Sequence, residues 1–235
     1  MTPLETILSN IQNVKVIDES IDYSQYIPLN LSSTNEVLAK IEITNSTHFE
    51  KFIEDYLAEN NAKVAFGGYN EIRNLYKRST AFNDHKTEER NIHIGLDLWI
   101  KAGTPVLAAL DGFIHSFNYN TGVGDYGPTI IIEHKIKNQH FHTLYGHLSL
   151  ESISNINIGD PVLKGMQIAT LGDAAVNGDY SPHLHFQIIE EIPNKFGDYP
   201  GVSTKSDLNY YLKNCPDPNL LLKIRRIQVI NATFS

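Results

Sequence analysis

Between about residues 90 and 190, apolar positions fall in short runs that alternate with polar ones or are cut by Gly, Pro and Asn. "TPVLAAL", "GFIHSFNY", "PTIIIEHK", "HFHTLYGHL", "DPVLKGMQIATLG" and "HLHFQII" all read as strands, and almost nothing in this span has helical period. The pattern predicts a mainly β core with short connections, a sandwich or a partly closed barrel. Gly-x-Pro-Val-Leu occurs at Gly103 and again at Gly159, so a turn feeding a short strand is expected twice.

Residues 1–60 have a different texture. In "THFEKFIEDYLAENN", Phe49, Phe52, Ile53, Tyr56 and Leu57 fall on one helix face, and Thr47 with Glu50 fits a capping box. A shorter helix is expected around Leu4 to Ile11. The division is therefore a helical or irregular extension over 1–60 and a β domain over 61–235, with a C-terminal extension after about 203. The extension is either a helical annex packed on the core or a lid that selects substrate.

The totals are ordinary for a globular protein: 235 residues, 41% hydrophobic and 20% charged. A formal charge of -8, with no run of Lys and Arg, argues against a nucleic-acid partner. No apolar run approaches the roughly 20 residues of a membrane span. The N-terminus lacks the pattern of a secretory signal, so the expected location is cytoplasmic. The lone Cys215 reads as a small buried hydrophobe.

The candidate chemistry is histidine. On a strand at "SPHLHFQII", His183, His185 and Gln187 share one face and Leu184, Phe186 and Ile188 the other. In "NIHIGLDLWI", His93 and Asp97 would stand about 13 Å apart on a flat strand, too far for one ion. They can meet only if the chain bends, and Gly95 is where a bend costs least. Imidazole and carboxylate together suit Zn²⁺. If His93, Asp97, His183 and His185 all bind, the site is closed and structural. If three bind, a position remains for water and the fourth residue can handle protons. Spacing does not choose between these.

"RNIHIGLDL", "TLYGHLS" and "SPHLHFQI", in this order, resemble the signature segments of the M23 metallopeptidases, the lysostaphin-like and LytM-type peptidoglycan endopeptidases. The resemblance covers about residues 65 to 190 and implies an antiparallel β-sandwich with a duplicated motif. It implies one zinc per chain, held by His93, Asp97 and His185, with His147 and His183 in acid–base and oxyanion roles. It also implies a peptide substrate and an endopeptidase activity, either on a peptidoglycan cross-link or on a small intracellular peptide. "GGYNEIRNLY", "DYGPTIIIEH" and "CPDPNLLL" further resemble a subgroup in which such a module is fused between a kinase-like and an aminotransferase domain, which would fit a cytoplasmic setting. Tyr145 and Arg90 flank the motifs and are candidate substrate contacts, or else packing residues. The remaining histidines, His48, His85, His115, His134, His140 and His142, are expected to be structural or solvated. A second class of function is a non-hydrolytic zinc or ligand-binding module whose groove the extension occludes.

Overall fold

Two-residue alternation becomes strand pairing almost wherever it occurs. The computed structural model describes residues 1–78 and 88–224, so His85 lies outside the described residues. The chain runs α1 (Pro3–Asn10), β1 (Tyr26–Pro28), α2 (Ser46–Glu59), β2 (Val64–Gly67), β3 (Glu71–Ile72), β4 (Ile92–His93) and β5 (Leu96–Trp99). There follow β6 (Pro105–Leu107), β7 (Gly112–Asn120), β8 (Gly127–Ile136), β9 (Gln139–Gly146), β10 (Pro161–Val162) and β11 (Gln167–Thr170). The last elements are β12 (His183–Ile189), β13 (Val202–Ser203), α3 (Leu208–Asn214) and α4 (Asn219–Leu222).

One eight-stranded sheet has the order β1-β2-β5-β12-β9-β8-β7-β10. Its pairings are antiparallel except β1 with β2. β6 pairs with β11, and β4 lies between β3 and β13, again antiparallel. The fold is mainly β, as the alternation predicts, and mostly antiparallel with a small N-terminal helix, as the family resemblance and the helical spacing near the N-terminus predict. No helix among the described residues is long and apolar enough to cross a membrane.

The central strand β12 shows how the core is built. Leu184, Phe186 and Ile188 enter the main apolar cluster with Leu96, Leu98, Ile130, Ile132 and Phe141. Leu4 and Leu8 of α1 belong to that cluster too. Phe49 and Ile53 of α2 pack in a second cluster with Trp99 of β5. Residues on both sides of position 60 thus share two apolar clusters.

α2 starts earlier than the sequence pattern suggests. Asn45 caps it, its side chain accepting from the His48 amide at 3.1 Å, so Thr47 lies inside the helix rather than at its cap. Both Gly-x-Pro-Val-Leu copies do the same job: Gly103 and Gly159 take positive φ (77° and 87°), and Pro105 and Pro161 each open a short strand.

Candidate active site

The chain changes sheets between His93 and Asp97. β4 belongs to the three-stranded sheet and β5 to the eight-stranded one. This break, rather than a bend in one continuous strand, folds His93 back onto Asp97. A Cβ on Gly95 would stand 2.4 Å from His185 Cε1, so glycine is required there by the close approach of an imidazole. β12 pairs antiparallel with β5, setting His185 opposite Asp97.

Three side-chain atoms converge as a result. His93 Nε2 lies 2.9 Å from His185 Nδ1 and 3.2 Å from Asp97 Oδ1, and His185 Nδ1 lies 3.1 Å from Asp97 Oδ1. The other nitrogen of each ring is already committed. His93 Nδ1 donates to the Gly68 carbonyl at 2.8 Å, and His185 Nε2 donates to Gln187 Oε1 at 2.9 Å. The Gln187 amide donates in turn to the Pro200 carbonyl at 3.1 Å, which fixes its orientation. The three converging atoms are therefore all acceptors, and buried acceptors packed this closely repel unless a cation or proton lies between them. Imidazole, imidazole and carboxylate suit zinc. Their spacing is within a few tenths of an ångström of the roughly 3.3 Å that tetrahedral bonds of about 2.0 Å would set. Among the described residues, His93, Asp97 and His185 are the one such group of three.

Spacing gave no sign of Arg73. Its guanidinium is buried, donates through Nη1 to Asp97 Oδ2 at 2.6 Å and through Nε to Glu71 Oε2 at 2.7 Å, and stacks over the Trp99 ring. Gly68 leaves the room: a Cβ there would stand 1.7 Å from Arg73 Nη2. Burial would raise the Asp97 carboxyl, but His93 and the Arg73 charge hold it well below its usual value. Burial, helped by Arg73, pushes His93 down to about 4.

His147 and His183 sit beside this group with ring centroids 4.1 Å apart. His183 Nδ1 donates to the Ser181 carbonyl and His147 Nδ1 to the Asn177 carbonyl, each at 2.8 Å, leaving both Nε2 atoms as acceptors. Burial depresses both rings, and their proximity depresses His147 further. His147 has φ 62°, a left-handed conformation that costs roughly 1–3 kcal/mol in a non-glycine residue. That turn at the end of β9 takes its ring out of the strand's alternation and into the site. Tyr126 also lines the cavity, with its hydroxyl 3.4 Å from His185 Nε2. It was invisible from spacing.

The flanking candidates separate. Arg90 lines the cavity and donates to the Val202 carbonyl at 3.3 Å. Tyr145 does not reach it. Register sets Tyr145 opposite Phe186, on the core face of the sheet, and its hydroxyl accepts from the Ala109 amide at 2.8 Å. The histidines read as structural lie away from the cavity. His134 bonds the Asp111 carbonyl and Thr143, His140 pairs with Glu133, His48 pairs with Glu42, and His115 packs against His142.

The model of peptidase family M23 matches residues 91–195, the stretch that supplies all five of these histidine and aspartate side chains. The likeness to the M23 peptidases thus lies in residues 91–195. An uncharacterized metalloprotease of Haemophilus influenzae is 33% identical over 95 residues, 40% of this chain and 18% of that protein. The peptidoglycan DD-endopeptidase ShyC of Vibrio cholerae is 32% identical over 116 residues, 47% of this chain and 24% of that one. The match thus spans about a quarter or less of these two relatives. Among solved structures, the catalytic domain of the prophage-encoded M23 protein EnpA from Enterococcus faecalis superposes with a TM-score of 0.36 at 22% identity, covering 51% of this chain and 87% of that one. The catalytic domain of lysostaphin from Staphylococcus simulans gives 0.35 at 24% identity, covering 65% and 93%. Outside residues 91–195 the chain carries α1, β1, α2, β2 and β3 before the matched stretch and β13, α3 and α4 after it.

Proposed function

We propose that the chain is a zinc metallopeptidase that hydrolyses an amide bond in a peptide. The observation that carries this reading is the convergence of three buried acceptors, the tautomer-fixed His93 Nε2 and His185 Nδ1 and the carboxylate Asp97 Oδ1, beside two neutral imidazoles. The likeness to the M23 peptidases supports the peptidase class, and the relative named as a peptidoglycan endopeptidase makes a wall cross-link one candidate substrate. A small peptide is the other.

His93, Asp97 and His185 would hold the ion. Bound there, zinc supplies Lewis acidity that polarises a carbonyl and lowers the pKa of water to about 7. His147 and His183, neutral and with Nε2 unprotonated, accept the proton of the attacking water and return it to the leaving amine. Their 4.1 Å ring separation means that one protonated ring stands next to a neutral one. Whichever is charged stabilises the tetrahedral oxyanion. Tyr126, whose hydroxyl burial keeps protonated, adds a hydrogen-bond donor on the same cavity wall. Without a glutamate in the site, histidine takes the acid–base part.

The test is His183→Ala. Metal content is expected to stay at the wild-type level while peptide hydrolysis falls by about 10²–10⁴-fold. Loss of metal on that replacement would show that His183 is a ligand and overturn its assigned role. A metal-loaded wild type inert towards every peptide offered would leave the non-hydrolytic binding module as the better reading.

A further inference from the structure

Four ionisable side chains outside the active site gather on one face of the eight-stranded sheet. β9 and β12 carry the active site at one end of that face, where His185 stands opposite Gly146. At the other end Ile189 stands opposite His142, four residues or about 13 Å further along. His140 and His142 alternate onto this face of β9, and Glu133 of β8 pairs with His142 and so shares it. The fourth group, His115, comes from β7. The register of β7 slips between Ile114 and Ser116, a bulge at His115. Its ring reaches over β8 to meet His142 edge to face, with centroids 4.9 Å apart and planes at 76°. The rings of His93 and His185 are arranged in the same way, at 4.9 Å and 79°.

The nitrogens of these rings are set for a ligand. Ser116 Oγ, which also accepts from the Gly197 amide, bonds His115 Nδ1 at 2.8 Å and leaves Nε2. Phe196 stacks flat against His115 at 5.8 Å and holds the plane of the ring. His142 is 9% exposed, and its Nδ1 is buried without a hydrogen-bond partner. Native interiors rarely leave such an atom unsatisfied, and a bound ion would satisfy it. Burial lowers both rings, His142 to about 4 with help from His115, so in neutral solution each offers a lone pair. The Glu133 charge acts on both rings. Its Oε1 lies 3.2 Å from His140 Nδ1, which leaves Oε2 to turn inward. The side chains of Glu133 and His140 are about half exposed, with room to move.

Two imidazoles and a carboxylate are a donor set that first-row divalent metals take, zinc among them. We infer that His115, Glu133 and His142 form a second site for a divalent transition metal, with His140 orienting the carboxylate. The ligand atoms converge less closely here than at His93, Asp97 and His185, and Glu133 must turn onto the ion. The second site is therefore the weaker one, filled from solution and emptied by dialysis. The inference does not rest on the peptidase reading, since none of these residues lines the active-site cavity.

The full chain, after exhaustive dialysis, would be titrated with zinc chloride by calorimetry in neutral buffer. The wild type is expected to take up about one equivalent of zinc beyond what it retains on dialysis. His115→Ala and Glu133→Ala, both at partly exposed positions, are expected to lose that event while keeping the retained zinc and the wild-type circular dichroism. His185→Ala is expected to lose the retained zinc and keep the event, which separates the two sites. No further equivalent in the wild type, or one that persists in His115→Ala or in Glu133→Ala, would overturn the inference. An event that disappears with His185→Ala belongs to the first site and would overturn it as well.

Discussion

Asp97 uses its two oxygens differently, and Arg73 decides which does what. Oδ2 takes the guanidinium at 2.6 Å, leaving Oδ1 to face His93 and His185. Such support of a ligand is typically worth 10- to 100-fold in metal affinity. Arg73→Gln is expected to weaken zinc binding by about that factor, as read by competition with a chromogenic chelator. It should also cost several kcal/mol of stability, because the Asp97 charge is left buried and unpaired. Unchanged affinity would remove Arg73 from the site. Gly95→Ala is the steric counterpart: its methyl would meet the His185 ring at 2.4 Å, so metal loss in the same assay is expected, with the strands kept by circular dichroism. The histidines and Asp97 were legible in the sequence because their residue types announce their chemistry. Arg73 was not, because a surface arginine and one buried 24 positions from its carboxylate look the same in a string.

At the level of elements, alternation identified the strands and even the polar face of β12. It could not identify neighbours. Tyr145 looked like a substrate contact because it stands two residues before His147. Pairing with Phe186 turns it into the core, and only the left-handed φ of His147 parts the two. A residue that breaks the alternation at a strand end cannot be read from the alternation. The cap of α2 departs from the sequence pattern too: Asn45, not Thr47, takes the capping position, which leaves the Ser46 hydroxyl to bond Asp179 on the loop before β12. That bond ties the N-terminal extension to the site. Ser46→Ala should lower stability by about 0.5–1.5 kcal/mol in urea titration. A shift beyond that range would mean that the helix is held by more than this bond and its apolar face.

Across the whole molecule, the main sheet buries polar histidines as well as those of the site, and this makes stability depend on acid. Burial pushes His134 down to about 4, although its ring bonds the Asp111 carbonyl and Thr143. An unfolded imidazole titrates near 6.5. As pH falls, the unfolded state therefore takes up the proton first. Nothing is lost above about 6.5, stability declines between about 6.5 and 4, and this group's contribution levels off below that. The full difference is on the order of 3 kcal/mol. His134→Gln should flatten the fall in unfolding free energy between about pH 7 and 4.5, measured by urea titration at each pH. An identical slope would show that His134 is not a source of the acid sensitivity. The residue pattern revealed none of this, because His134 ends an apolar run and its burial comes from strands on either side of it in the sheet.

The central claim is that two tautomer-fixed imidazoles and one carboxylate, drawn from two sheets, form one metal-binding group. Its most direct test is the zinc content of the purified chain after exhaustive dialysis, compared with that of His185→Ala treated in the same way. About one zinc per chain in the wild type, falling to a small fraction in the variant while the fold is retained, is the predicted result. A wild type that holds no zinc, or a variant that holds as much as the wild type, would contradict it.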